Sequence, residues 1–325
     1  MRLWFQCGTI GISKSIDMRK RRKFYRGVVN HVYQRTVDGV HLFYTREDCL
    51  VFFTILSVCA KSADICILEL CLMHNHIHLL AKTETAQELS GFMDHFTAWF
   101  VHEYNSYVGR SGKLFKKNFG SAPKWEEKKL RSAIIYVGNN PVEKNFCFKA
   151  SEYRWNFLAY RNSSQPFSAK MVKSYISYEL KKAMKIVDSM VNLNLPLKYA
   201  LLDIITKNLT SDEYEQLTDY IISSYSPLNY EVLESYFKSY DSMLAAMEST
   251  TGDDYDINEP RDGFSLKAFM EMVDYVKKKM PGGKVRQVTV LSLDEKIELY
   301  GELMAHTSAA GQQVRSFLHL KAQTV

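Results

Sequence analysis

The chain has 325 residues, which is enough for two domains of ordinary size. Hydrophobic residues make up 46% and aromatic residues 13%, so the composition excludes an intrinsically disordered chain. The formal net charge is +6 and unevenly distributed, since residues 1–165 carry +10 and residues 166–325 carry −4. A basic first half is typical of a protein that binds a polyanion, although a solvated basic surface would give the same charge.

Neither membrane insertion nor secretion is indicated. No apolar run is long enough to span a bilayer, and residues 1–11 lack a signal-peptide core and cleavage site. The six cysteines show no C-x-x-C pair and no zinc spacing, so we interpret them as small buried side chains in a reducing compartment. We therefore expect a cytoplasmic protein without membrane contact. Met18 is a second candidate start, which would make residues 1–17 a non-essential extension.

Hydrophobic periodicity in the first half alternates between the strand and helix patterns. Thr45 followed by Asp48 predicts a helix start, because this spacing forms a capping box. The predicted elements are, in chain order, a strand at 27–36, a helix at 45–62, strands at 64–73 and 75–82, a helix at 85–108 and a basic-aromatic loop or short strand at 113–119. This order is compatible with a ferredoxin-like α+β sheet packed on helices.

Two histidines stand out within the apolar stretch 71–80, which predicts a buried strand. Alternate residues of a strand point to the same face, so His76 and His78 project together whereas Ile77 points into the core. Two imidazoles on one face form half of a metal site, and they are costly to bury unless something binds them. The alternative is a pair of hydrogen-bonded core histidines.

A helix is predicted in the segment 126–140, with acidic residues at its start and an apolar stripe at Leu130, Ile134 and Val137. Pro141 disfavours helical geometry at Asn140 and predicts that the helix ends there. Tyr136 and Asn140 are four residues apart and therefore share one helix face. A phenol one turn from a carboxamide suits a nucleophile beside a metal ligand, although most helical tyrosines only pack, and the chain has 20.

Together these segments resemble the HUH single-tyrosine transposases, and within them the REP-associated tyrosine transposases. Asn-His-Ile-His-Leu-Leu at 75–80 resembles the family signature Pro-Asn-His-x-His-Leu-Leu. Tyr-Val-Gly-Asn-Asn-Pro-Val at 136–142 resembles Tyr-Ile-x-x-Asn-Pro-Val, and the segments at 104–115 and 151–155 follow in family order. The resemblance extends from about Met18 to Tyr160, roughly half the chain.

The resemblance implies an HUH catalytic domain at 18–162 with a ferredoxin-like α+β fold, an antiparallel sheet and packed helices. It implies metal-dependent cleavage and strand transfer of single-stranded DNA at hairpin or repeat sequences, as in DNA transposition by a bacterial nucleoid-associated enzyme. Tyr136 would be the nucleophile and form a 5′-phosphotyrosine intermediate. His76, His78 and Asn140 would hold Mg²⁺ or Mn²⁺.

Three positions depart from the family pattern. Asn118 stands where a basic residue is common, which puts one phosphate contact in doubt. His74 replaces the usual Pro and adds a third imidazole to the same strand face, either as an extra ligand or, the interpretation we favour, as a strand-edge residue. Asn156 replaces the closing Ser, with no consequence that the sequence indicates.

Basic residues in the first half are expected to position the DNA, with aromatic residues interleaved among them. The basic set is Arg19, Arg21, Arg22, Lys23, Arg110, Lys113, Lys116, Lys117 and Lys124. Phe115, Phe119 and Trp125 could stack on unpaired bases, or could equally belong to the core.

The polar stretch 163–168 predicts a linker, followed by an all-α domain at 169–325. Its predicted helices are 170–192, 197–208, 211–224, 229–249, 267–280, 292–306 and 308–320, with an acidic, turn-rich loop at 250–263. The last two could form a helix-turn-helix at 292–320 or an ordinary helical hairpin, which we favour. We expect this domain to fold separately, so that a chain ending near Gln165 would keep the cleavage activity. The oligomeric state, including a homodimer, stays open.

Two other functions compete with an active strand transferase. The chain could be a domesticated protein that binds hairpin or repeat DNA without mobility. It could also be an unrelated metal hydrolase that uses His-x-His, but this would require further His or Asp ligands around a barrel, whereas the second half has a helical pattern.

Overall fold

The computed structural model describes residues 24–172, 176–249 and 264–321. The first half contains β1 (Val29–Arg35), α1 (Arg46–Ser62), β2 (Cys66–Met73), β3 (His76–Lys82), α2 (Ala86–Val108), β4 (Gly120–Pro123) and α3 (Glu127–Glu143). The second half contains α4 (Tyr178–Asn192), α5 (Tyr199–Thr206), α6 (Ser211–Tyr225), α7 (Tyr230–Glu234), α8 (Tyr240–Ser249), α9 (Leu266–Lys279), α10 (Leu293–His306) and α11 (Gly311–Leu318). Within these ranges, no helix combines the length and the apolar character that a bilayer crossing requires.

The strands form one antiparallel sheet in the order β2-β3-β1-β4. The chain order β-α-β-β-α-β with this arrangement is ferredoxin-like, which confirms the predicted α+β class and the helical region that follows it. The sequence pattern missed β4, because its residues Gly-Ser-Ala-Pro are typical of turns. Pairing with β1, in the register Tyr33 opposite Gly120, holds this short edge strand.

The two faces of the sheet have different partners. Val32, Ile77 and Leu79 pack with α1 and α2 in the larger hydrophobic cluster. Cys71, Met73 and Leu80 point to the opposite face and pack with α3 and α8. The apolar stripe of α2 is buried and includes Leu89, Phe92, Met93, Phe96, Phe100 and Tyr104.

The helices beyond residue 168 pack directly on the first half. Every residue of α1 from Asp48 to Ala60 is buried, because the sheet and α2 cover one side and α5 and α6 cover the other. The buried carboxylate of Asp48 accepts hydrogen bonds from the Tyr199 hydroxyl at 2.8 Å and the Arg286 guanidinium at 3.0 Å. These shared contacts argue against independent folding of the helical region, while its boundary at 163–168 stays a prediction.

The predicted helices of the second half differ in detail from those observed. The helix predicted at 170–192 begins at Tyr178, where Ser177 caps it by accepting a hydrogen bond from the Leu180 amide. The helix predicted at 229–249 is two helices, α7 and α8, separated by a short break. The loop predicted at 250–263 lies outside the described residues.

Three polar residues in α11 and directly after it, Gln313, Ser316 and His319, form hydrogen bonds within the protein. Gln313 of α11 is buried and exchanges hydrogen bonds with the backbone of Ser265. The Ser316 hydroxyl donates to the Gly39 carbonyl at 2.5 Å, and His319 Nε2 lies 2.8 Å from the His41 carbonyl. A recognition helix needs a free polar face, so these contacts favour the helical hairpin over the helix-turn-helix.

Candidate functional site

His76 and His78 lie side by side on the sheet face that α3 covers. Both are buried, their ring centroids are 4.9 Å apart, and Ile77 between them belongs to the core on the other face. The structure thus confirms the shared face predicted from the spacing. Neither ring is near an acidic ligand set: among the described residues, no group of three or more His, Cys, Asp or Glu side chains could hold a metal ion.

Neighbouring side chains orient both rings through the same nitrogen. His78 Nδ1 lies 3.0 Å from His31 Nε2, and His76 Nδ1 lies 2.7 Å from Asn75 Oδ1. A histidine held through one ring nitrogen presents the other to a metal, so Nε2 is the candidate ligand atom in each.

His31 is a member of this site that the sequence did not reveal. It lies on β1, 47 residues before His78, and no motif surrounds it. Burial, reinforced by the Lys124 ammonium, lowers the pKa of His31 to about 3, so the ring is neutral at physiological pH. A neutral imidazole can form one hydrogen bond with His78 Nδ1, and it adds no positive charge next to a metal ion bound by His78.

Tyr136 packs edge-on against these histidines. Its ring centroid is 5.5 Å from that of His78 and 5.7 Å from that of His31, and the side chain is 2% exposed. Asn140, one helical turn later, is also buried, and its Oδ1 accepts no hydrogen bond from any described residue. A buried amide oxygen without a donor is costly, which suits an atom that coordinates a cation.

The helix that carries Tyr136 does not end at Asn140, as Pro141 led us to predict. α3 continues to Glu143 with Pro141 inside it. The proline removes only one backbone hydrogen bond in the last turn, and the amides of Lys144 and Phe146 close the helix on the carbonyls of Asn140 and Pro141. Tyr136 and Asn140 therefore lie on one continuous helical face.

Two asparagines hold α3 from its other side. Asn139 donates from its amide to the Met247 carbonyl of α8 at 2.6 Å. Asn156, which replaces the family Ser, donates to the Gly138 carbonyl at 3.3 Å and the Ala150 carbonyl at 2.5 Å. A Cβ at Gly138 would lie 2.5 Å from the Met247 methyl, so glycine permits this close packing. Asn156 thus has a consequence that the sequence did not indicate, because it fixes the helix bearing Tyr136.

His74 does not lie on the strand face, contrary to our expectation. It occupies the turn between β2 and β3, where its ring stacks on Phe264 at 3.9 Å between centroids. Its distance to the His76 ring is 6.2 Å. Packing against Phe264 favours the strand-edge interpretation over a third ligand.

The predicted DNA-binding residues fall into three groups. Lys113, Lys116 and Lys117 are exposed on the loop before β4, whereas Arg110 braces that loop through the Lys113 carbonyl. Lys124 is close enough to His31 to shift its pKa. Arg19, Arg21, Arg22 and Lys23 lie outside the described residues.

The aromatic residues predicted among these cations also separate. Phe115 and Phe119 are buried in the core, while Trp125 is 63% exposed with the Lys129 ammonium 5.0 Å from its ring. Tyr33, which the sequence did not suggest, is 38% exposed opposite His78 on β1. A Cβ at Gly120 would collide with the Tyr33 ring, so glycine lets that ring lie across β4.

Glu69 is a buried acid beneath α3 and a further residue that the sequence missed. Its carboxyl group makes no hydrogen bond with any described residue, and burial raises its pKa well above the ordinary value. The folded state then binds a proton more tightly than the unfolded state. The contribution of protonated Glu69 to the free energy of unfolding is therefore complete below about pH 4.5, and it is lost as the pH rises toward the folded-state pKa of this residue.

We therefore expect Glu69→Gln to stabilise the protein relative to the natural chain increasingly as the pH rises. Between the unfolded-state and folded-state pKa values of Glu69, the difference in the free energy of unfolding between the variant and the natural chain should grow by about 1.4 kcal/mol per pH unit. Chemical unfolding at pH 4.5, 6 and 7.5 would measure it, with Glu127→Gln on the exposed start of α3 as the control. A pH-independent difference between Glu69→Gln and the natural chain would show that Glu69 is ionised in the fold.

Comparison with known proteins finds similarity in the first half of the chain. Residues 31–140 match the family model described as "Transposase IS200 like". This segment is similar to the IS200-like transposases. It contains most of β1, all of the elements from α1 to β4 and most of α3, together with His31, His76, His78, Tyr136 and Asn140.

A solved structure described as "Structure of the REP associates tyrosine transposase bound to a REP hairpin" is similar, with 14% sequence identity and a TM-score of 0.38. The alignment covers 49% of this chain and 94% of that chain. No curated protein matches the chain.

Proposed function

We propose that this transposase-family protein cleaves and rejoins single-stranded DNA at hairpin or repeat sequences, with Tyr136 as the nucleophile. The observation that carries the proposal is the packing of the Tyr136 ring against His78, on the face that also carries His76. A phenol placed on a histidine pair combines a nucleophile with candidate ligands for the scissile phosphate. The hairpin substrate rests on the resemblance of the two motifs to the REP-associated branch.

His76 Nε2, His78 Nε2 and the Asn140 Oδ1 are the atoms proposed to hold Mg²⁺ or Mn²⁺. The donor set fits, because Asn140 Oδ1 is a buried acceptor and both rings are held through Nδ1. Such a cation would polarise and orient the phosphate. Two imidazoles and one amide leave further coordination positions for phosphate and water oxygens, as Mg²⁺ prefers.

The phenol oxygen of Tyr136 would attack the phosphorus in line with the leaving 3′ oxygen. The new O–P bond forms as the P–O3′ bond breaks. The phenol gives up its proton to solvent, the released 3′ oxygen takes up a proton, and the 5′ phosphate stays on Tyr136. Because the covalent link conserves the energy of the broken bond, a 3′ hydroxyl can later rejoin the strand without nucleotide hydrolysis.

A denaturing gel tests this proposal directly. Purified protein with Mn²⁺ or Mg²⁺ and a labelled hairpin with single-stranded flanks should yield a covalent protein–DNA species. The label should enter the protein band only when it lies on the 5′-phosphate side of the cut. A protein that binds the hairpin tightly but never forms this species would exclude strand transfer.

We expect metal affinity to depend on His76, His78 and Asn140 and not on His74. Removing a ligand should weaken Mn²⁺ binding more than removing its support, so His31→Ala should cost only about 10–100-fold. Calorimetric Mn²⁺ titration of each Ala variant measures this, with His74→Ala as the control because its ring stacks on Phe264. If His74→Ala were as damaging as His78→Ala, the ligand set would be wrong.

A hairpin-binding protein without cleavage is the second candidate, and the burial of Tyr136 and Asn140 favours it. At 2% and 1% exposure, neither side chain is accessible to a strand unless α3 or its surroundings move. The two candidates differ in one outcome, because only strand transfer produces a covalent species at saturating DNA and metal.

A further inference from the structure

A large cavity lies between the first half of the chain and residues 264–286, which contain α9 and the segment that follows it. Its volume is about 770 Å³, which falls within the range of small-molecule sites. One wall contains Met73 and His74, and Met73 lies directly opposite His76 in the β2–β3 register. The cavity therefore begins at the cross-strand neighbour of His76, next to the histidine pair.

Aromatic side chains dominate its interior. Tyr107, Tyr153, Trp155, Tyr214, Phe264 and Phe269 line it from both halves of the chain. The guanidinium groups of Arg286 and Arg46 lie over the Tyr107 and Tyr214 rings, so the other four rings are the candidates for stacking on a base. Flat aromatic walls accept a planar ring, and stacking of this kind binds nucleobases without regard to sequence.

The arginines in the walls are already neutralised. Arg46 pairs with Glu215, Arg154 pairs with Glu215 and Asp219, and Arg286 pairs with Asp48. These side chains shape the cavity but bring no unbalanced charge to it.

Two lysines at the mouth differ from these arginines. Lys277 and Lys284 line the cavity, are exposed, and form no ion pair with any described residue. The left-handed turn at Gly282 and Gly283 separates them and brings the chain back after α9. Asp203 also lines the cavity and is exposed, and its carboxylate accepts a hydrogen bond from the Tyr107 hydroxyl at 2.6 Å. The mouth thus offers two ammonium groups beside aromatic side chains, which suits a phosphate attached to a base.

We propose that this cavity binds one unpaired nucleotide of the DNA strand that reaches the histidine pair. The base stacks inside, and its phosphate contacts Lys277 and Lys284. The inference rests on the proposed function, because it assumes a single strand seated at His76 and His78. It assigns to the helical region a role in reading the strand beside the cleavage site.

The test uses the full chain without metal and a hairpin whose single-stranded flanks carry an abasic unit at each position in turn. Fluorescence anisotropy should find one position at which the missing base weakens binding about fivefold or more. Lys277→Gln and Lys284→Gln should each weaken binding of the intact strand and reduce the salt slope by about 0.7 for each phosphate that the variant no longer binds. Lys278→Gln, the same change on an exposed neighbour outside the cavity, should have no effect.

A second variant pair tests the interior without altering charge. Met270 lines the cavity and is 47% exposed, so Met270→Trp should fill the mouth and remove the abasic effect. Met304 is similarly exposed on α10 but lies outside the cavity, so Met304→Trp should leave the effect intact.

Three results would overturn the inference. They are an abasic scan without a sensitive position, a sensitive position that persists in Met270→Trp, and equal effects of Lys278→Gln and Lys277→Gln. A further titration adds deoxynucleoside monophosphates to the protein without DNA. If these bind and the abasic scan finds no sensitive position, the cavity binds a free nucleotide and the inference is wrong. Covalent adduct formation by the natural chain is scored separately, so failure of the cavity inference is distinguishable from failure of strand transfer.

Discussion

Replacement of Tyr136 by Phe is expected to abolish covalent attachment of DNA while hairpin affinity stays within a few-fold. The substitution removes only the attacking oxygen, and the ring keeps its edge-on packing against His78 and His31. The adduct assay measures attachment, and anisotropy without metal measures binding.

Tyr104→Phe and Tyr107→Phe are the matched controls for this substitution. Both tyrosines lie on α2, which packs on the opposite face of the sheet from Tyr136. Both controls should therefore form the adduct. An adduct that persists in Tyr136→Phe and disappears in either control would assign the nucleophile to another tyrosine.

A chain that ends at Gln165 is expected to lose its cooperative fold, contrary to the separate domain that the sequence predicted. Its α1 would keep the sheet on one side but lose α5 and α6 on the other. Burial of each large apolar side chain contributes roughly 1.5–3 kcal/mol, so exposing several of them exceeds a net stability of about 5–15 kcal/mol. Asp48 would also lose the hydrogen bonds from Tyr199 and Arg286 and remain a buried, unpaired charge.

Thermal unfolding followed by circular dichroism measures this effect. A chain ending at Ser249 is the control, because it keeps α4 to α8, the cluster around α1 and the hydrogen bond from Tyr199 to Asp48. It loses α9 to α11 and, with them, the Arg286 contact to Asp48. We expect it to unfold cooperatively at a reduced temperature. If the 1–165 chain were soluble and unfolded in a sharp thermal transition, the first half would be an independently folding domain, as the sequence predicted.

The sequence predicted the fold where local pattern determines structure. The capping box at Thr45 and Asp48 specifies the start of α1, and hydrophobic periodicity specifies α2, both without tertiary information. Both occur as predicted. The sequence missed β4, since pairing with β1 rather than residue type makes it a strand. Independent folding of the second half was inferred from composition and charge, which do not report which faces of α1 are covered.

The candidate site shows the same division. His76 and His78 form a contiguous motif, so strand alternation alone places them together. His31 and Glu69 come to this face only through sheet pairing and helix packing, and no local spacing marks either residue. The roles proposed for Tyr136, His76, His78 and Asn140 stay predictions until the adduct and metal titrations are measured.

The enclosure of α1 offers a marker for comparative genomics. A homologue without the appended helices would expose one side of this helix to water, so selection should enrich that side in charged residues. The run from Cys49 to Ala60 contains no charged residue at all. Searching homologous proteins for an uncharged helix at the position of α1 should therefore identify relatives that carry the appended helices. The search should succeed even where the sequences of those helices have diverged too far to be aligned.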